Sequence, residues 1–225
     1  MSSLGSLTPP TGHVVRLLHG EAFWQMFGAL HSWRIDDVVR DMEAQRRRGR
    51  ILPFVRGLRL SALLIYQVRD LLRGTGLTAN WGHLVDSDGR LCSCECDVIV
   101  HEESGVHRRW NGNESPVMDF VFIAQTSAVL VMSCKSYLKS GNIDAAYCDL
   151  MKPFVERLWL FAECCGPRSA DRVRARALES GYEKCWYLYT WSKQSAPEPN
   201  DEGWHDFVES VQGLADRTTR EVAMT

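Results

Sequence analysis

The chain has 225 residues, 45% hydrophobic and 24% charged, with a formal net charge of -2 and a pI near 6.4. That length suits one domain with a sizeable core, and that charge excludes a globally basic nucleic-acid binder, so any such contact must come from a local patch. No apolar run approaches the ~20 residues of a membrane helix, and Met1–Thr11 lacks the apolar segment of a signal peptide, so the expectation is a cytoplasmic protein without a membrane partner, its eight cysteines reduced thiols.

In chain order, residues 1–12 are expected to be a loose Ser/Pro/Gly-rich tail. From His13 to about Gln45, apolar residues recur at three- and four-residue spacings (Val14, Leu17, Leu18; Phe23, Phe27, Leu30; Ile35, Val38, Val39, Met42), a helical pattern. Arg46-Arg47-Arg48-Gly49-Arg50 closes it, as a helix stop or as a phosphate-binding edge. Gly57 to Arg73 is expected as a second helix, apolar nearly all round and ended by Gly74-Thr75-Gly76. A short strand over Asn80–Asp86 leads to Ser87-Asp88-Gly89-Arg90, a turn of the kind that joins antiparallel strands.

Further strands are expected over Ser93–Val100, Val117–Ile123 and Ala128–Cys134, with a polar loop from His101 to Glu114. Asn142 is expected to cap a helix through Ala145, Tyr147 and Leu150, followed by a helix from Phe154 to Cys164 and a charged one from Arg168 to Glu179. Tyr182–Trp191 is a last strand, Pro197–Asn200 a loop, and Trp204–Leu214 a terminal amphipathic helix.

The chemistry concentrates in two of these strands. Side chains on a strand alternate between faces, which puts Glu95 with Asp97 and Ser133 with Lys135; if the two strands are neighbours, an acid and a lysine meet at a sheet rim. Phosphodiester cleavage uses that combination: a metal held by carboxylates polarises the phosphate, and a cation stands near the transition state. Ser133 with Lys135 also has the makings of a serine nucleophile with a lysine base, but two residues apart on a strand they lie parallel, and no oxyanion-hole motif accompanies them.

Three further groups weigh less. Cys92-x-Cys94-x-Cys96 suggests zinc, yet same-face residues on a strand are about 6.5 Å apart, too far for sulfurs that must each reach a zinc at ~2.3 Å. These thiols are expected to face away from Asp97 and pack with Cys134 as small buried residues, while Cys164-Cys165-Gly166 suits a helix end. His83, His101 and His107 cluster with Asp86, Asp88, Glu102 and Glu103, and His101 is placed at the mouth of an Asp97 pocket. Nucleic-acid contacts would come from Arg108-Arg109-Trp110, Lys135, Lys139 and Lys152, cations beside an aromatic suiting phosphate contact and stacking; Arg168, Arg172, Arg174 and Arg176 are diluted by Asp171 and Glu179.

The order of elements, with Gly82, Asp86–Gly89, Ser93-x-Glu95-x-Asp97-Val98-Ile99-Val100 and then Val129-Leu130-Val131-Met132-Ser133-Cys134-Lys135-Ser136, resembles the PD-(D/E)XK nuclease superfamily over roughly Gly57 to Trp191. It looks most like a bacterial branch of uncharacterised nuclease-like domains. The resemblance implies an α/β fold with a restriction-endonuclease-like core, a mixed central sheet flanked by helices, over 57–225, preceded by a helical segment over 13–56. It also implies metal-dependent cleavage of DNA, in preference to RNA, with Mg²⁺ or Mn²⁺, in bacterial defence, and makes Asp97 and Lys135 catalytic residues.

The departures are specific. Ser133 stands where the family has an acid, the helix before the strands carries no early glutamate, and no Gln-x-x-x-Tyr follows Lys135. Glu95 would then have to join Asp97 on the metal, with Ser133 offering a hydroxyl or holding a water. The alternative implied by these departures is a degenerate relative, binding nucleic acid or acting as an interaction subunit with a protein partner or a second copy of itself.

Overall fold

The computed structural model describes residues 52–109, 120–192 and 195–223; the expected tail, most of the 13–56 helical segment, the Arg46–Arg50 run and Trp110 lie outside the described residues. Helix α1 (Leu52–Leu71) is followed by strands β1 (Leu77–Val85), β2 (Cys96–Glu102), β3 (Val106–Arg109), β4 (Phe120–Ala124) and β5 (Ala128–Leu138). Then come α2 (Ala145–Met151), β6 (Leu158–Cys165), α3 (Ala170–Glu179), β7 (Lys184–Ser192), β8 (Ser195–Pro199) and α4 (Asp201–Ala223).

The strands form one eight-stranded sheet in the order β3-β4-β1-β2-β5-β6-β7-β8. β2 is antiparallel to β1 and β5, while β5, β6 and β7 run parallel and β4 runs parallel to β1. Parallel neighbours need a crossover; α2 and α3 supply those from β5 to β6 and from β6 to β7, while β2 and β3 lie between β1 and β4 in sequence. Both helices pack on one face through Cys148, Met151, Val173 and Ala177. α1 and α4 cover the other face through Leu60, Leu63, Leu64, Val68, Trp204, Phe207 and Val211. This is a mixed sheet flanked by helices, as the sequence leads one to expect. Among the described residues no helix is long and apolar enough to cross a membrane.

Several boundaries differ for identifiable reasons. The stretch expected as a helix over Phe154–Cys164 is strand β6, all eight residues of which are buried. A strand with neighbours on both edges and helices on both faces is apolar nearly throughout and shows no period of two; the exception in β6 is the buried Glu163, whose carboxylate accepts from the Tyr189 hydroxyl. The Pro197–Asn200 loop is largely edge strand β8, where proline is tolerated because one edge needs no donor. Part of the expected His101–Glu114 loop is strand, the end of β2 together with β3. Asp144, not Asn142, caps α2, its carboxylate accepting from the Tyr147 N–H at 3.2 Å. Gly82 sits where β1 meets β4, and a Cβ there would lie 1.8 Å from the Val121 carbonyl oxygen, so only glycine permits that approach.

Candidate functional site

The site begins with an irregularity in β2. Against β1, Asn80 pairs with Ile99 and Gly82 with Cys96, so Asp97 and Val98 together stand opposite Trp81. Two residues facing one is a β-bulge, a device that re-aims side chains at sheet edges and near sites. Its effect is visible in the packing: Val98 and Val100 belong to the α1/α4 face, while Ile99 and Cys96 both belong to the α2/α3 face. The regular alternation assumed for Glu95, Asp97 and the thiols therefore does not run through this segment.

At the same level β2 and β5 part. Their last regular pair is Val98 with Met132, whereas β5 continues alongside β6 to Leu138. The Cys134 N–H, which no β2 carbonyl meets there, donates instead to Asp97 Oδ2 at 2.7 Å. Burial pushes the Asp97 carboxyl above its ordinary range; the Cys134 N–H and the Lys135 charge pull it back, and Glu95 adds to the rise. Lys135, half-buried, thus acts on Asp97 through space, and the strand pair does bring the acid and the lysine together.

The remaining expected residues are dispersed. Glu95 precedes β2, is exposed, and accepts from Trp81 Nε1 at 2.8 Å. Ser133 is 3% exposed and faces Tyr182. Lys139 is exposed, and its backbone N–H donates to Asn142 Oδ1 at 2.9 Å. Arg108 and Arg109 lie on β3, at the far edge of the sheet. His101 is fully buried at the other end of β2. Its Nδ1 donates to the Glu102 carbonyl at 2.6 Å and its Nε2 accepts from Asn80 Nδ2 at 2.8 Å. Arg69 holds the Asn80 amide oxygen in turn, so His101 is a structural histidine and not part of a pocket mouth. Of the three alternating thiols, Cys96 is buried, but Cys94 is exposed and Cys92 half-buried, because the strand begins only at Cys96.

Two tyrosines that sequence reasoning did not single out close the site. Tyr147, on the first turn of α2, is pushed well up by burial and next by the charges of Cys96, Cys94 and Asp97, which places its hydroxyl over the start of β2. The Cys96 thiol, raised by burial to about 12, lies in hydrogen-bonding reach of Tyr147 and is 3.6 Å from Ser93 Oγ. Tyr182, 3% exposed, brings its hydroxyl beside Ser133 and Cys148, where it makes no hydrogen bond of full geometry. Asp144 as an N-cap was the one sequence signal that could have placed Tyr147 on an inward first turn; Tyr182 offered none.

A hard divalent cation takes several oxygen ligands. Here one Asp97 oxygen is committed to a backbone N–H, Glu95 is bonded to Trp81, and the position of the second acid is a serine buried under a tyrosine. Among the described residues no three His, Cys, Asp or Glu side chains gather as a metal site would require. The residues present do not fit the metal that the resemblance implies.

Fold and site together define an α/β domain with an acid–lysine pair where two central strands part. No family model and no curated protein matches the chain. Among solved structures it is similar to the NucC of P. aeruginosa ATCC27853 in its cAAA-bound form, with a TM-score of 0.48 and 14% identity, covering 84% of this chain and 90% of that one. It is similar to E. coli MS115-1 NucC in the cAAA-bound form (TM-score 0.48, 12% identity, 84% and 90% covered) and the apo form (0.40, 14%, 68% and 90%).

Proposed function

We propose that this chain is a nucleic-acid-binding domain of the PD-(D/E)XK type whose cleavage site has lost its metal set. The observation that carries the reading is the pairing of Asp97 Oδ2 with the Cys134 N–H beside a buried Ser133. A carboxylate that completes a strand ladder stabilises the fold, and without a second acid it gathers no cation. What remains is positive charge: Lys135 at the rim and Lys139 exposed beyond it. Arg108 and Arg109 lie four strand spacings away in the sheet, about 19 Å at ~4.8 Å per spacing. Cations so spaced suit a phosphate backbone, with DNA preferred to RNA and a setting in bacterial defence following from the sequence resemblance.

The test is fluorescence anisotropy with a labelled DNA duplex, together with plasmid incubated with Mg²⁺ or Mn²⁺. The expected result is salt-dependent binding weakened in the Lys135→Ala/Lys139→Ala double variant, and no nicking by the wild type. No binding at low salt would overturn the reading.

A second reading, metal-dependent DNA cleavage, is favoured by one observation: the Glu95 charge acts on Asp97 and adds to the rise in its pKa. Saturable Mn²⁺ binding by calorimetry, lost in Asp97→Ala, with plasmid nicking lost in Lys135→Ala, would establish this reading and end the first.

A further inference from the structure

The outer end of the sheet holds a second polar cleft. β7 runs from Lys184 to Ser192, but β8 covers its outer edge only from Tyr189 onward. Asn200 extends the cover one step, its N–H donating to the Leu188 carbonyl at 2.8 Å and its Nδ2 to the Tyr187 carbonyl at 2.9 Å. From Lys184 to Trp186 no described strand lies on that edge, while β6 occupies the other. Helices α3 and α4, on opposite faces, flank it. The result is a cleft of about 380 Å³, floored by Cys185–Tyr187 and walled by Asp171 and Arg174 on one side and Glu202 and Asp206 on the other.

We propose that this cleft takes an extended peptide segment that adds to the β7 edge and directs one basic side chain at Glu202. A bare strand edge presents backbone donors and acceptors that a further strand satisfies, and main-chain pairing of this kind is a general mode of peptide recognition. The volume lies within the range of ligand clefts. The walls set the charge of the occupant. Asp206 is engaged by Trp186 Nε1 at 2.7 Å and by Lys184 at 3.8 Å. The Asp171 and Glu202 carboxylates have no hydrogen bond or ion pair among the described residues and face the cleft from opposite walls.

Side chains of an added strand alternate between the walls. One set meets α4 with Glu202, the other α3, where Arg174 stands beside Asp171 and disfavours a second cation. The pattern recognised is therefore a basic residue flanked by uncharged neighbours. With Lys184 and Arg174 counted, three carboxylates against two cations still leave the cleft net negative and disfavour phosphates, so this cleft and the Asp97 rim serve different classes of partner, and its occupant does not depend on whether the rim cuts or binds nucleic acid.

The test uses the full chain and a fluorescein-labelled, acetylated and amidated Thr-Val-Arg-Val-Thr peptide, read by anisotropy. Saturable binding on the order of 100 µM is expected for so short a strand, with Glu202→Lys weakening it at least about tenfold by charge reversal. N-methylation of the peptide amides that face the β7 edge should abolish it. Glu202 is exposed, so a melt matching the wild type shows that the variant folds. Absence of saturation, an unchanged affinity in Glu202→Lys, or equal binding of the N-methylated peptide (a plain cation site) would each overturn the proposal.

Discussion

The two faces of the sheet are built from different materials. Beneath α1 and α4, Trp159, Phe161, Trp186, Trp204 and Phe207 form one aromatic cluster, with ring centroids from 4.8 Å (Phe161 to Phe207) to 6.2 Å (Phe161 to Trp204), mostly edge to face. Such pairs add to their area burial; the Trp159 and Trp186 indole N–H groups donate to Glu183 and Asp206, while Trp204 Nε1 is buried without a hydrogen-bond partner among the described residues. Beneath α2 and α3 an aliphatic core (Leu84, Ile99, Val131, Leu138, Leu160) is interleaved with thiols and hydroxyls: Cys96, Cys148, Cys165, Cys185, Ser133 and Tyr182, with Tyr147 partly buried. The first face is the aromatic one; the second carries the thiols and hydroxyls that outline the site.

The sharpest way to break that contrast is by truncation. Phe161→Ala should cost about 3–5 kcal/mol in denaturant-induced unfolding, whereas Cys148→Ala on the opposite face should cost about 1 kcal/mol. Equal costs would mean that the two faces share the load.

Next in size is Ser133→Glu, which buries a carboxylate against the Tyr182 hydroxyl. It should destabilise by about 2–3 kcal/mol, because a buried charge there lacks a partner. Adding Mn²⁺ should raise its Tm while leaving the wild type unmoved, since only the variant supplies a second acid. A metal-independent Tm in the variant would show that the frame no longer admits a cation even with its acid restored. Tyr182→Phe alone should stay within about 0.5 kcal/mol of the wild type, its hydroxyl making no full hydrogen bond.

The effects at Asp97 are smaller than that of Ser133→Glu. Asp97→Ala leaves the Cys134 N–H without its acceptor and should cost about 1–2 kcal/mol, while Asp97→Asn keeps an acceptor. Burial raises the folded carboxyl above its ordinary 3.8, so the native state holds this proton more tightly than the unfolded chain. That contribution is complete below 3.8 and is lost as pH climbs through the higher folded value. Asp97→Asn should therefore gain on the wild type as pH rises across that window. Denaturation curves from just below it to neutrality measure the difference; a constant or opposite trend would mean that the N–H and Lys135 outweigh burial.

Much of this was legible in the sequence. The Asp-Gly turn, the leucine-rich α1 and the alternating β7 followed from period and composition, whereas the pairing of Asp97 with Lys135 was implied by the family resemblance and required their strands to be neighbours. β6 was misassigned as a helix because a strand buried on both faces has no period of two. The bulge in β2 was invisible because it depends on the register against β1, a long-range property that no local pattern encodes. Tyr147 and Tyr182 reach the site across 50 and 85 residues from Asp97 by chain distance, brought there by the two crossovers.

The bulge opposite Trp81 also bears on how this segment can vary. It works as a phase shifter: the residues on either side of it follow the same two-step rhythm, but out of step by one. A one-residue deletion between Glu95 and Val98 would remove the offset and leave the β2 core in register with both neighbours. Cys96 and everything before it would then be carried to the opposite face. Length change at this point is thus tolerable to the sheet and ruinous to the rim, so the spacing between the Asp97 carboxylate and its strand measures whether a related chain has kept the site.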